Sequence, residues 1–279
     1  MSILAVVGAG PLGAAITHQA SGMSIARRIV LIDDAADVAR GLALDIRQAG
    51  PINGSSTAVE GTGDTGAVVG AGVVVVADRH GQGEWTGDEG LALVTRLRTL
   101  NPHALIICAG SAQAGMVETF VHEKDGDRRR IVGSAPEALR SALTALTCLE
   151  SGAAPADVSL AAIGRPPKDM FVPWEGAAIG GSRGADVLPA VVIARLDRQL
   201  PYLWPPGPLA LAGAAVRVAR GVMGRAPGWV NVFLVPPVTD DRQVRGVAVP
   251  AVVDEGALRV VWPVLAPRDR VRLESALAG

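Results

Sequence analysis

Three glycines and one aspartate near the amino terminus have the types and spacing needed to hold a phosphorylated nucleotide. Gly8, Gly10 and Gly13 form a G-x-G-x-x-G pattern after an apolar run, and Asp33 ends the next apolar run. Such glycines permit a tight turn and let the backbone approach a pyrophosphate at the following helix N-terminus. A carboxylate at Asp33 would accept hydrogen bonds from an adenosine ribose and would repel a ribose phosphate, which favours NAD over NADP. The predicted cofactor-binding residues are Gly8, Gly10, Pro11, Leu12, Gly13 and Asp33.

These residues need strands and helices in a fixed order around them. Short apolar runs predict strands at residues 3–7, 28–33, 72–77 and 104–109. Amphipathic stretches predict helices at residues 12–21, 36–48 and 90–100. Because continuous apolar strands alternate with helices, we expect a doubly wound parallel sheet covered on both faces, the Rossmann arrangement.

The second half of the chain has a mixed pattern. It predicts helices at residues 134–151, 188–200, 209–222 and 268–278, and strands at residues 158–163, 230–235, 244–249 and 257–261. The change of pattern predicts a boundary near residue 132. We therefore expect a Rossmann dinucleotide-binding domain over residues 1–132 and an α+β substrate-type domain over residues 133–279.

Composition narrows the classes of partner. A formal net charge of -1 gives no bulk electrostatic reason to expect nucleic acid or an anionic membrane. Apolar runs stay below the length of about 18 residues that a membrane span needs, and the start lacks the basic region of a signal peptide. Cys108 and Cys148 lack the paired spacing of a zinc site or a disulfide framework, which favours a reduced, cytoplasmic chain without a metal site.

Several segments, together with the glycine pattern, resemble the NAD-dependent L-lactate/malate dehydrogenase family. The matching segments follow the family's order and lie at residues 40–46, 101–104, 130–133, 155–158, 163–164, 172–173 and 179–181. The resemblance implies a Rossmann domain followed by the family's α+β domain, NAD as cofactor, and a homodimer or higher homo-oligomer. The helix at residues 40–48 is a candidate for its interface. Members of the family are commonly somewhat longer than this chain.

The residues that the family uses for chemistry are missing at their expected positions. In the family, a histidine in a Gly-x-His-Gly-Asp loop transfers the substrate proton, and residues 164–168 resemble that loop with Pro166 or Pro167 in its place. An aspartate orients that histidine and an arginine clamps the substrate carboxylate. Arg140 and Leu143 align with these two positions, so both the orienting anion and the clamp are expected to be lost.

The remaining candidates for catalysis are weak. Arg79 is the sole plausible counterpart of the family's mobile-loop arginines, in a loop that is shorter than usual, and His80 is the one histidine near the expected site. Lys168 could exchange a proton only if strongly desolvated. The family's Thr-Asn-Pro segment appears as Ala-Gly-Ser at residues 109–111.

Three hypotheses follow from these residues. The first is a degenerate homologue that binds NAD(H) but has lost hydride transfer on 2-hydroxy acids. The second is an active NAD-dependent oxidoreductase whose rebuilt site uses His80, Arg79 or Lys168 on a different substrate. The third is a protein-interaction module that does not bind nucleotide.

Two further side chains carry expectations of their own. The proline pair predicts extended backbone from Arg165 to Pro167. Arg165 is then either a solvated surface residue or, if turned inward, a fork for a small anionic ligand. Glu137 is expected to be a carboxylate that favours the first turn of its helix.

Overall fold

The amino-terminal half of the computed structural model is built from strands that alternate with helices. The structure describes residues 2–124, 126–224, 228–237, 244–254 and 256–278. The strands of this half are β1 (Ile3–Val7), β2 (Arg28–Ile32), β3 (Ala58–Thr62), β4 (Val73–Val76), β5 (Asp78–Arg79), β6 (Gly83–Glu84), β7 (Leu105–Cys108) and β8 (Ile131–Gly133). The helices are α1 (Pro11–Gly22), α2 (Ala36–Ala49), α3 (Gly87–Leu100) and α4 (Ala114–Glu123).

The large strands of this half form a parallel sheet in the order β3-β2-β1-β4-β7-β8. Its central strands are apolar and buried because helices pack on both faces, as the sequence predicts. The chain reverses its direction of winding between β1 and β4. In doubly wound sheets a ligand binds in the crevice that such a reversal opens at the carboxyl ends of the strands.

The second half adds mixed structure. Its elements are α5 (Ala135–Ser151), β9 (Val158–Ser159), β10 (Ile163–Arg165), β11 (Asp169–Phe171), β12 (Ala178–Ile179), β13 (Ser182–Arg183), α6 (Gly184–Val187), α7 (Ala190–Gln199), α8 (Pro208–Val222), β14 (Trp229–Leu234), β15 (Val247–Asp254), β16 (Ala257–Val260) and α9 (Pro267–Ala278). The predicted fold class, a Rossmann sheet followed by an α+β half, is confirmed.

One sheet runs through both halves. Strand β14 lies antiparallel to β8, and the sheet continues through β15, β10 and β11, with β16 beside β15. Strands β9, β12 and β13 form a small separate sheet. The predicted boundary at residue 132 falls inside β8 and stays a prediction.

The strand predicted at residues 158–163 is wrong, because this segment contributes β9 and β10 to two different sheets. Between them, the buried Asn231 side chain donates to the Ala162 carbonyl (2.8 Å) and accepts from the Ala162 amide (3.1 Å). An amide side chain thus takes the place of a ladder partner. The strand predicted at residues 244–249 begins at Val247 and runs to Asp254, and residues 238–243 lie outside the described part.

Several elements of the amino-terminal half were not predicted, among them β3 and α4. Strand β3 buries Val59 alone and lies at the edge of the sheet, so its apolar signal is weak. Helix α4 buries Met116, Val117, Phe120 and Val121 at helical spacing. Within the described ranges, no helix has the length and apolar character needed to cross a membrane.

Candidate functional site

The turn between β1 and α1 is held tightly against the segment that follows β4. Gly8 has a φ of +112°, and a Cβ there would lie 2.3 Å from the carbonyl oxygen of Asp78. A Cβ at Gly13 would lie 1.9 Å from the Gly8 carbonyl oxygen. Neither position has room for a side chain, so the glycine pattern is a packing requirement of this turn as well as a candidate phosphate cradle.

Asp33, at the carboxyl end of β2, is a buried anion with three backbone donors. Its carboxylate accepts hydrogen bonds from the amides of Ala9 (2.7 Å), Ala35 (2.9 Å) and His80 (3.0 Å), and the residue is 6% exposed. Burial alone would raise the pKa of Asp33. The backbone donors and the nearby His80 outweigh this effect, so the pKa of Asp33 lies below the ordinary value of 3.8. Asp33 is therefore ionised at neutral pH.

A cavity of about 330 Å³ opens beside Asp33, at the carboxyl ends of β1 and β2 and against α3. Its wall is mainly apolar and aromatic and includes Ile32, Trp85 and Leu93, while Asp33 and Asp34 line its polar side. Its size lies near the lower limit of small-molecule sites, roughly 300–1,000 Å³. Apolar walls with carboxylates on one side suit a planar base joined to a sugar whose hydroxyls donate hydrogen bonds.

The segment after β4 forms a short hairpin over the glycine turn. Strands β5 and β6 pair antiparallel, with Asp78 opposite Glu84. The Asp78 carboxylate accepts from the Gly13 amide (3.0 Å), and its carbonyl accepts from the Gly10 amide (2.9 Å). A Cβ at Gly10 would lie 2.5 Å from that carboxylate. Asp78 therefore covers the amino-terminal end of α1.

The other end of the hairpin is anchored on the turn between β7 and α4. The Glu84 carboxylate accepts from the amides of Ser111 (3.1 Å) and Ala112 (2.8 Å). A Cβ at Gly110 would lie 2.2 Å from it. Since β1 and β7 flank β4 in the sheet, the hairpin spans both neighbouring turns and covers the crevice between them.

The three weak catalytic candidates lie in two places. Arg79 stacks on Trp85, 4.2 Å from the ring centroid, and pairs with Glu89 at 2.9 Å, so its guanidinium is held beside the cavity. His80 is exposed, and its backbone amide rather than its ring contacts Asp33. Lys168 is exposed between β10 and β11 in the other half of the chain. Arg79 and His80 thus contact residues that line the cavity, whereas Lys168 lies in the second half.

Glu137 forms a buried charge cluster, which goes beyond the expected role of a first-turn carboxylate. Its side chain is 2% exposed and pairs with Arg140 (2.6 Å) and Arg217 (2.7 Å). It also accepts from the backbone amide of Asn231 (2.7 Å). Arg140 in turn lies over the Trp229 ring, 5.3 Å from its centroid. Arg140 is therefore committed to Glu137 and Trp229.

The loop after β10 departs from its prediction. Arg165 ends β10, and residues 166–168 form a turn, so the expected extended run through both prolines is wrong. Arg165 is also not a solvated surface residue. Its guanidinium forms two hydrogen bonds with Glu118 (2.9 and 3.1 Å) and donates to the Gly246 carbonyl (2.8 Å). These contacts tie α4 to the second half of the sheet.

No family model matches the chain. It is 25% identical over 170 residues to a malate dehydrogenase of Roseiflexus sp. (strain RS-1), a match covering 58% of this chain and 55% of that protein, about half its length. Two solved structures have the same fold. One is the lactate dehydrogenase of Cryptosporidium parvum with lactic acid and nicotinamide adenine dinucleotide (TM-score 0.84, 21% identity, 99% of this chain and 94% of that chain). The other is the malate dehydrogenase of Plasmodium falciparum with NADH (TM-score 0.85, 16% identity, 99% and 95%).

The chain has the fold of the lactate and malate dehydrogenases, and 58% of its length is similar in sequence to a malate dehydrogenase. Pro166 or Pro167 stands where the resemblance to these dehydrogenases places the proton-transferring histidine. The chain has no histidine after His122. Leu143, at the clamp position, is fully buried in an apolar cluster with Leu139. Arg140, at the position of the orienting aspartate, has the opposite charge and is paired with Glu137.

The residues present fit the family's dinucleotide only in part. The cavity beside Asp33 is open and matches an adenosine in size and polarity. The hairpin carboxylates of Asp78 and Glu84 lie on the two turns where the rest of a dinucleotide would pass. The described residues also contain no group of three or more acidic, histidine or cysteine side chains able to hold a metal ion.

Sequence reasoning missed Asp78, Glu84 and Trp85. Asp78 had a signal, because an acid placed directly after a central strand lies at the sheet edge where the glycine turn lies. Glu84 and Trp85 follow within the same shortened loop, and their partners on other elements could not be read from the sequence.

Proposed function

We propose that this protein is a lactate/malate dehydrogenase homologue that binds NAD(H) through its adenosine half and does not transfer hydride to or from 2-hydroxy acids. The proposal depends on which residues occupy the three positions that the family uses for catalysis. A proline stands for the proton carrier, a paired arginine for the orienting aspartate and a buried leucine for the clamp.

Chemistry supports the loss of hydride transfer. A positioned general base typically contributes roughly a hundred- to ten-thousand-fold to the rate. Arg165, the charged neighbour of Pro166, stays protonated at any useful pH and is engaged by Glu118. Without a base, the substrate hydroxyl keeps its proton, and without the clamp the carboxylate has no fork to orient it.

Asp33 and the open cavity support the binding half of the proposal. Asp33 is ionised and lines the cavity, so the hydroxyls of an adenosine ribose can donate to it. The same charge disfavours a ribose phosphate, so NADH is expected to bind more tightly than NADPH.

The alternative of a rebuilt active site has less support. Arg79 is engaged by Glu89 and Trp85, and His80 is exposed beside Asp33. Lys168 is exposed in the second half, where nothing among the described contacts desolvates it.

Two measurements on the purified full chain test the proposal. Calorimetric titration should detect NADH and a weaker response to NADPH, and Asp33→Asn should weaken NADH binding more than Asp34→Asn, which changes the adjacent acid. Assays with L-lactate, L-malate, pyruvate and oxaloacetate should match a no-enzyme control. Failure of both dinucleotides to bind at millimolar concentration would remove the binding claim. Turnover near the common enzyme value of about ten per second would show that the catalytic site lies elsewhere.

The dimer, the cytoplasmic location and a small anionic ligand remain predictions. Helix α2 presents Leu44, which is 45% exposed, as part of the expected subunit interface. Light scattering of the wild-type chain and of Leu44→Glu would test the interface, with dissociation of the variant as the expected result.

A further inference from the structure

We propose that Asp78 determines which nucleotide this cleft accepts. Its carboxylate fills the position of a pyrophosphate, so the site takes an adenine nucleoside without 5′-phosphates and admits a dinucleotide only when the β5–β6 hairpin moves aside. This inference rests on the proposed function for the adenosine cavity and adds the ligand class that the cavity selects.

The amides of the glycine turn are the first part of the argument. A pyrophosphate binds a Rossmann turn through backbone N–H groups at the helix N-terminus. Here the Gly10 and Gly13 amides donate to Asp78, and the Ala9 amide donates to Asp33. Pro11 has no N–H to offer. Within residues 8–13, the Leu12 amide is the one backbone N–H without a hydrogen-bond partner among the described residues. An entering pyrophosphate would therefore find a single free donor.

Space is the second part. A Cβ placed on Gly10 would lie 2.5 Å from a carboxylate oxygen of Asp78, so this carboxylate lies within contact distance of the backbone that glycine normally leaves open to the phosphate. A phosphate and a carboxylate cannot both occupy that position. One must leave before the other binds.

Charge is the third part. Asp78 adds a carboxylate beside a site that already contains Asp33 and Asp34. Glu89 also lines the cavity but is paired with Arg79, and Arg96 is the one cation among the described residues that line the cavity. Acidic groups therefore dominate the side from which a 5′-phosphate would approach Asp78. An uncharged nucleoside avoids this repulsion, whereas each added phosphate increases it.

The hairpin blocks the second half of a dinucleotide as well. Glu84 occupies the amides of Ser111 and Ala112 on the turn after β7. The cavity beside Asp33 lies outside the hairpin and stays open, with a volume of about 330 Å³. The open part of the cleft thus matches the nucleoside, and the covered part matches the phosphates and the second nucleoside.

Calorimetric titration of the wild-type chain, Asp78→Ala and Asp78→Asn with adenosine, AMP and NADH tests the proposal. For the wild type we expect adenosine to bind more tightly than AMP and at least as tightly as NADH. For Asp78→Ala we expect NADH affinity to rise roughly 10- to 100-fold, the range of a hydrogen bond to a charged group. Adenosine affinity should change less than about 3-fold, since adenosine does not reach Gly13.

Asp78→Asn and a charge-matched control separate the contributions. Asp78→Asn keeps an acceptor for the Gly13 amide and removes the charge, so its NADH affinity should lie between those of the wild type and Asp78→Ala, and it preserves the test if Asp78→Ala does not fold. Asp37→Asn removes the same charge from an exposed acid that pairs with Arg40, and it should leave the preference unchanged.

The outcomes distinguish the two claims. If both ligands bind the wild type but their ratio is the same in both Asp78 variants, the role of Asp78 is refuted and the proposed function stands. If the wild type prefers NADH to adenosine, the ligand class is refuted. If neither ligand binds any of these proteins, the adenosine site and this inference both fail.

Discussion

Removing the carboxylate of Glu137 should destabilise this protein more than removing any exposed charge. The perturbation is Glu137→Leu, which keeps a side chain of similar size and deletes every acceptor oxygen. Glu137 is 2% exposed at its side chain and neutralises Arg140, whose side chain is 14% exposed. It also accepts the buried amide of Asn231. The substitution therefore leaves one largely buried cation and one buried N–H without a partner.

The expected magnitude follows from these groups. Removing one partner of a buried ion pair costs about 3–5 kcal/mol, because the other charge stays buried without compensation. Arg217 adds little to this loss, since its side chain is 46% exposed and water can replace the lost carboxylate. For a chain of this size, about 3–5 kcal/mol corresponds to a fall in Tm of roughly 5–9 °C.

Urea unfolding and thermal melts at pH 7 measure this effect. Arg217→Ala is the matched control and should cost less than about 1 kcal/mol. The double variant Glu137→Leu/Arg140→Leu should recover part of the stability, because the uncompensated cation is gone. If Glu137→Leu lowers the free energy of unfolding by less than about 1 kcal/mol, the interpretation of this cluster as buried charges that compensate one another is wrong.

Two further predictions concern pH and the contact between the halves of the chain. The folded pKa of Asp33 lies below its ordinary value, so its stabilisation is present above about pH 4 and is lost as pH falls through the folded pKa; the stability difference between wild type and Asp33→Asn should shrink between pH 7 and pH 3, and a constant difference would contradict this. Burial alone would raise the pKa of Glu118, but the Arg165 and Gly246 donors outweigh it, so its pKa lies below 4.5. Glu118→Gln should therefore cost about 1–3 kcal/mol at neutral pH, and this cost should decrease as pH falls below about 4.5 through the folded pKa; a cost that does not change with pH would show that charge is not involved.

The sequence was sufficient for the fold because its signals there are local. The glycine turn, the apolar strands and Asp33 each lie within one βαβ unit, and a G-x-G-x-x-G pattern between a strand and a helix is read without knowledge of distant segments. The same dependence on local signals explains why β3 was not predicted. Strand β3 buries one apolar side chain at the sheet edge, and propensity gives little information for such a strand.

The candidate site was only half predictable because its decisive contacts are long-range. Asp78 bonds to Gly13, 65 positions earlier in the chain. Glu137 pairs with Arg217 and bonds to Asn231, 94 positions away. Sequence patterns indicate which residues carry charge. They do not show which distant amide or guanidinium a charge will contact, so they do not single out Asp78, and for Glu137 they predict only a first-turn carboxylate.

The carboxylates of the hairpin over the cleft act as an intramolecular ligand for the turn amides. The hairpin carboxylates are covalently tethered close to the turn amides, so their effective concentration there is in the millimolar range or above. A free nucleotide must compete with this effective concentration to bind the same amides. In many cofactor-binding proteins the folded state gains stability from its cofactor by mass action. Here Asp78 and Glu84 accept hydrogen bonds from these amides within the chain, so we expect the Tm of this protein to depend little on added dinucleotide.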